Sequence, residues 1–189
     1  MIFRVRTAAV ILFVATLAAS LASCDLSVDE PDPVFDVEAQ YKKDSIAIDE
    51  YLAKYGIEGV QTTESGLRYK VLEEGSGPAP NKNDIVSVHF TISRMDSAVI
   101  ETTFTDVALK YNIYDSAIAY VPYKFNFGGG FVFENTFLVA GLREGSQLMK
   151  LNDRYVFYLP SKLAFGQVAY GQIPANSPSV WELKMVQIR

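Results

Sequence analysis

Beyond Gly66 the apolar residues stop recurring every three or four positions and begin to alternate. That change of period is what most limits the fold. In residues 85–92, "IVSVHFTI", Val86, Val88, Phe90 and Ile92 fall on one side and Ser87, His89 and Thr91 on the other, the pattern of a strand with one buried face. Residues 154–160, "RYVFYLP", and 179–188, "SVWELKMVQI", also read as strands, while "EEGSGPAPNKND" is a turn-rich connection. One short helix is predicted over 139–149, with Leu142 and Met149 among its apolar positions. Several strands with a single helix to cover them predict an α+β fold.

The N-terminal third has a different character. Arg4 and Arg6 precede the apolar run of residues 8–19, which has the anatomy of a secretory signal and is too short for a convincing membrane-spanning helix. It leads into "LASC", which ends on Cys24, the one cysteine of the chain, and resembles the lipobox of bacterial lipoproteins. Residues 1–23 are therefore predicted to be a lipoprotein signal peptide and Cys24 the lipidation site. The acyl chains would hold the protein at a membrane of the bacterial cell envelope, facing the periplasm or the cell surface. With no second cysteine, no internal disulfide can form. Residues 24–35 are acidic and proline-bearing, as in an extended tether.

Residues 36–60 read as a helical extension. Val37, Tyr41, Ile48, Leu52 and Tyr55 fall near one stripe, Glu38–Lys42 and Glu50–Lys54 are spaced as i,i+4 pairs, and Gly56 is a natural stop. The apolar stripe is expected to pack on its own domain, with a homodimer through the 36–54 helix as the alternative.

Composition and motifs exclude much of ordinary enzyme chemistry. The first 23 residues hold two arginines and no acids, which leaves 15 Lys+Arg against 22 Asp+Glu. An acidic body without a basic stripe argues against nucleic acid as a partner. His89 is the sole histidine and lies mid-strand, so a histidine-based triad or a multi-histidine metal site is hard to build around it, and it reads as a sheet-surface histidine. Gly128-Gly129-Gly130 lacks the spacing of a nucleotide fingerprint and reads as a turn. "GLREG", residues 141–145, has GxxxG spacing, but its charges exclude the transmembrane meaning. Nothing in the sequence calls for a cofactor or a metal.

Aromatic residues at strand ends and turns remain, Phe165 in "PSKLAFG" among them. The blocks "SGLRYKVLEEGSGPAPNKNDIVSVHFTI", "VIETTF", "PYKFNFGGG", "VAGLREGSQLMKLNDRYVFYLPSKLAFG" and "GQIPANSPSVWEL" occur in the order found in FKBP-type peptidyl-prolyl isomerases. The chain resembles that family over residues 65–189 and, with the lipobox, its envelope lipoprotein branch. The resemblance implies a domain at 61–189 with a half-barrel antiparallel sheet of about five strands wrapped around one short helix. It also implies isomerisation of X–Pro bonds in exported or envelope polypeptides, and sensitivity to macrolide inhibitors.

Carried over by position, the substrate pocket comprises Phe90, Ile100, Glu101, Tyr123, Phe125, Leu138, Val139, Leu142, Phe165, Ile173 and Trp181. Several positions depart from the family pattern. Phe90 stands for a usual Tyr, Ile92 for Gly, Glu101 for Asp, Leu142 for the Trp of the pocket floor, Phe165 for a hydroxyl-bearing Tyr, and Trp181 for Phe. Between about 104 and 121 the chain carries an insertion, expected to be ordered as a pair of strands or as a lid. Two functions follow from these features: a membrane-anchored prolyl isomerase, or an FKBP-like module that binds protein segments with little or no catalysis. Tyr123 and Tyr170 are the candidates to replace the missing hydroxyl.

Overall fold

A helix opens the described structure because Asp36 caps it, its side chain accepting from the Ala39 amide at 2.9 Å. This helix, α1, spans Val37–Lys54 and closes before Gly56, whose φ of +60° suits glycine. The computed structural model describes residues 35–128 and 139–189, and residues 36–189 form one compact unit. The predicted signal peptide, Cys24 and nearly all of the tether lie outside the described residues, as do Leu138, Gly129 and Gly130.

Seven strands follow among the described residues: β1 (Gln61–Thr62), β2 (Arg68–Glu73), β3 (Ile85–Arg94), β4 (Val99–Thr102), β5 (Tyr123–Asn126), β6 (Arg154–Leu159) and β7 (Ser179–Ile188). They form one antiparallel sheet in the order β1-β2-β6-β7-β3-β4, with β5 also on β3. The count exceeds the expected five or so for a specific reason. β3 is ten residues long, so β5 pairs with its first four positions and β4 with residues 91–93 on the same edge. The two-residue β1 adds the last strand.

Two short helices among the described residues replace the single one predicted. The first, α2 (Thr105–Lys110), lies in the insertion, in place of the strand pair that was one expectation. Asp106 in its first turn and Lys110 in its last both complement the helix dipole, and Asn112, at φ +56°, ends the run. The second, α3 (Ala140–Ser146), is shorter than predicted. Ser146 donates back to the Arg143 carbonyl at 3.0 Å, the kind of local bond that competes with a continuing helix.

Alternation along β6 and β7 sends side chains to two faces. On the inner face, beneath α3, Phe157, Leu159, Trp181, Leu183 and Met185 join Val86, Val88 and Ile92 of β3 in the main core. Gly141 and Gly145 let α3 sit directly on that face. A Cβ would come within 2.6 Å of Leu159 Cδ2 at the first and 2.6 Å of Phe157 Cε1 at the second. The GxxxG spacing of "GLREG" is thus a close-packing device between a helix and a sheet.

Val156, Tyr158 and Val180 point to the outer face and bury Ile48 of α1, with Tyr51 and Leu52 packed around them. α1 therefore packs on its own domain. Its stripe is narrower than predicted: Ile48 is fully buried, whereas Val37 and Tyr55 are 55% and 43% exposed. Its ion pair runs across to the sheet, from Asp49 to Arg68, rather than along the helix. Farther along the outer face, Arg154 pairs with Glu73 at 3.0 Å and also with Glu182, and Lys184 reaches Glu73 at 3.3 Å.

Candidate active site

The inner face is not fully covered by α3. Beside the helix lies a cavity of about 590 Å³, and eight of the sequence-predicted residues line it. Strands supply most of them by register: Phe90 from β3, Glu101 from β4, Tyr123 and Phe125 from β5, and Trp181 from β7. Val139 and Leu142 come from the start of α3, and Phe165 from the turn after the 3-10 helix Ser161–Leu163. Trp181 sits centrally, 6.2 Å from the Phe90 ring and 5.7 Å from the Phe165 ring, and Tyr123 meets Phe90 edge-on at 6.3 Å.

Two predicted residues stand elsewhere. Ile100 faces a second cavity, also about 590 Å³, built by the insertion from Ile113, Ile118, Tyr120 and Val121. Ile173 is 1% exposed and belongs to the core, where its backbone pairs with Tyr170 and shapes the turn. The second cavity shares Phe90, Glu101 and Tyr123 with the first. No residue of the 104–121 insertion lines the first cavity; the insertion lines the second, which adjoins it through the shared residues.

The first cavity also includes residues that the positional match to the family omits. Val88, Ile92 and Leu183 follow from strand alternation alone, since each is two positions from a predicted wall residue. Ala164, Val168 and Tyr170 come from the loop around Phe165, where no periodicity marks which side chain turns inward.

The polar groups of this site are few and largely committed. Among the described residues Glu101 is the one charged lining residue, and the Tyr170 hydroxyl donates to its Oε2 at 2.6 Å. Burial, together with the neighbouring Glu101 carboxylate, pushes the Tyr170 phenol well above its ordinary value, so it stays protonated as a donor. Its ring lies flat on Phe165, centroids 4.2 Å apart and planes 4° from parallel. Tyr170 thus supplies a hydroxyl beside the ring that lacks one, but its proton is directed at Glu101. The Trp181 indole N–H is likewise used internally, donating to Ser179 Oγ at 2.9 Å.

His89 is not part of the cavity. It points to the opposite side of β3, with Nδ1 3.1 Å from Thr103 Oγ1 and its ring 4.7 Å from Phe104. No cluster of three or more metal-ligating side chains exists among the described residues. What the site offers chemically is an apolar, aromatic-walled space that can hold a ring away from water, with a carboxylate and hydroxyl at its edge.

Known proteins resemble this chain in sequence and in fold. The family description "FKBP-type peptidyl-prolyl cis-trans isomerase" matches residues 77–186. The FKBP-type peptidyl-prolyl cis-trans isomerase FkpA of Aeromonas hydrophila is 36% identical over 141 residues, 74% of this chain and 45% of that protein. The probable FkpA of Neisseria meningitidis serogroup B is 32% identical over 154 residues, 81% of this chain and 48% of its own length. The crystal structure of FkpA from Escherichia coli superposes with a TM-score of 0.56 at 26% identity, covering 80% of this chain and 63% of that one. The chain spans about half the length of the curated relatives it matches.

Proposed function

Because this chain belongs to the FKBP-type peptidyl-prolyl cis-trans isomerase family, we propose that its inner-face cavity binds proline in polypeptides and speeds rotation about the preceding amide. That reaction breaks no covalent bond; it crosses a barrier of about 18–20 kcal/mol. Resonance makes the planar amide more polar than the twisted transition state, so water favours the ground state. A dry cavity that grips the proline ring in the twisted form lowers the barrier by binding the transition state more tightly. Neither nucleophile nor general base is required, which accounts for a site made of Phe90, Phe125, Leu142, Phe165 and Trp181 with one carboxylate. That lining is the observation that carries the proposal.

The substrates proposed are unfolded or newly exported proteins of the bacterial envelope, met at a membrane to which acylated Cys24 holds the enzyme. The signal anatomy of residues 1–24 supports this location. A macrolide that buries a proline-like ring would compete for the same cavity. A homodimer through α1 would have to use the residues that its own domain leaves exposed, such as Val37 and Ile46.

A second reading, a binding module with weak catalysis, is favoured by the Phe165 position and by the engagement of the Tyr170 hydroxyl with Glu101. Protease-coupled isomerisation of short X–Pro peptides, with and without macrolide, separates the two. The isomerase reading expects a macrolide-sensitive rate above the uncatalysed one; its absence across several X residues leaves binding alone. Phe165→Tyr restores one hydrogen-bond donor, worth about 0.5–1.5 kcal/mol, and should raise turnover by roughly tenfold at most. In a pure binder that substitution changes no rate.

A further inference from the structure

Asp44 is 1% exposed, in the middle of a helix that lies on the opposite face of the sheet from the cavity. A buried carboxylate is costly unless its oxygens are well satisfied, and a well-packed apolar residue holds a helix to a sheet at least as firmly. Ile48 already does the latter one turn along. Asp44 instead spends both oxygens on specific partners. Its Oδ2 accepts from the Ser161 amide at 2.7 Å and the Ser161 hydroxyl at 2.5 Å, and its Oδ1 accepts from Gln40 Nε2 at 2.7 Å.

These bonds belong to a closed circuit. The Ser161 carbonyl accepts from the Gly166 amide at 2.8 Å, and the Gly166 carbonyl accepts from the Asn176 amide at 2.7 Å. The Asn176 carbonyl accepts from Gln40 Nε2 at 2.9 Å, which returns the path to α1. Phe165 lies between the Ser161 and Gly166 links, and Tyr170 between the Gly166 and Asn176 links. The two stacked rings that wall one side of the cavity are therefore carried by loops pinned at each base to the same helix. Lys162, 3.8 Å above the Tyr41 ring, adds a further tie.

We infer that Asp44 and Gln40 of α1 are positioning residues for the cavity, holding from the far side of the sheet the two loops that present Phe165 and Tyr170. The helical extension is thus part of the site's construction. The kinetic half of this inference rests on the isomerase reading; the structural half does not. A wall held in place binds a twisted amide better than one that must be ordered at each turnover, because positioning is then complete before substrate arrives.

The experiment uses the full chain, in which Trp181 is the sole tryptophan and stands 5.7 Å from Phe165. Asp44→Ala, Asp44→Asn, Gln40→Met and Ile48→Ala are compared by thermal melting, acrylamide quenching of Trp181 in the folded state, and X–Pro peptide isomerisation. Asp44→Ala is expected to increase quenching and to lower kcat/KM by about five- to tenfold, mostly through kcat. Asp44→Asn, which keeps an acceptor, should recover most of both, and Gln40→Met should move both in the Asp44→Ala direction by a smaller amount. Ile48→Ala should lower the melting temperature and leave quenching and kcat/KM unchanged. If Asp44→Ala and Gln40→Met alter melting alone, Asp44 is merely structural and the inference is overturned. If Asp44→Ala fails to fold, Gln40→Met decides by the same two readouts. Should the unmodified protein prove not to catalyse isomerisation, the isomerase reading fails by itself, and Trp181 quenching still tests the positioning.

Discussion

On the outer face of β6 and β7, Val156, Tyr158 and Val180 meet an 18-residue helix and are sealed. On the inner face of the same strands, Phe157, Leu159, Trp181 and Leu183 meet a helix of seven residues and a cavity stays open beside it. Both faces draw on one alternation, so apolar content does not decide which becomes core and which becomes site. The covering element does. α3 has small residues at Gly141 and Gly145, approaches Leu159 and Phe157 closely, and lines the cavity with Leu142 without filling it. Among the described residues, the outer face is sealed by a long helix and the inner face is covered by a short one with a cavity beside it.

Mutating one residue of each face tests that contrast. Ile48→Ala removes a side chain that is 0% exposed in a sealed contact and should cost about 2–5 kcal/mol of stability, read from denaturant or thermal unfolding. Trp181→Phe trims a ring that already borders open space, so its stability cost should be lower, about 1–2 kcal/mol, mostly from leaving the buried Ser179 hydroxyl without its indole donor. The functional order is the reverse. Binding of a proline-containing peptide should weaken measurably in Trp181→Phe, since the cavity widens next to Leu142, and stay unchanged in Ile48→Ala. Equal destabilisation by the two, or weakened binding in Ile48→Ala, would break the distinction between a sealed and an open face.

Strand periodicity alone makes the inner face legible. It puts Val86, Val88, Phe90 and Ile92 on one side of β3, and all four join or pack against the main core. The order of segments then locates most of the cavity, because residues on neighbouring strands converge once their register is known. Three features lie beyond such patterns for physical reasons. Asp44 breaks the apolar stripe of α1, and a carboxylate in that pattern reads as solvent-facing until its partner 117 residues away is seen. Ile173 follows a turn whose inward direction is set by the Tyr170 backbone pairing rather than by any period. The insertion contains Tyr111, Tyr114 and Tyr120, which favour strands, yet only the short run with Asp106 and Lys110 at its ends adopts regular structure, as a helix.

The outer face is itself uneven, and His89 offers the smallest and most specific probe of that. It stands on the outer side of β3, register-paired with Lys184 and away from α1, so it is only partly covered. Burial is the leading cause that lowers its pKa, and the Lys184 charge acts in the same direction; the Thr103 hydrogen bond and Asp106 of α2 oppose them. The unfolded chain titrates near the ordinary histidine value of about 6.5. In the window just below that value the unfolded state therefore binds more protons than the folded one. The stability contribution of neutral His89 is fully present above it and is lost as pH falls through the lower folded value. Melting curves from pH 7.5 to pH 5 should fall less steeply in His89→Gln than in the unmodified protein, with the two converging toward parallel lines above neutrality. Thr103 Oγ1 also accepts from the Phe90 amide at 2.8 Å, so protonating His89 disturbs a residue that holds a cavity wall. A sealed outer face would isolate the cavity from such a change; at β3 the seal is missing, and a slight loss of peptide binding should accompany the loss of stability.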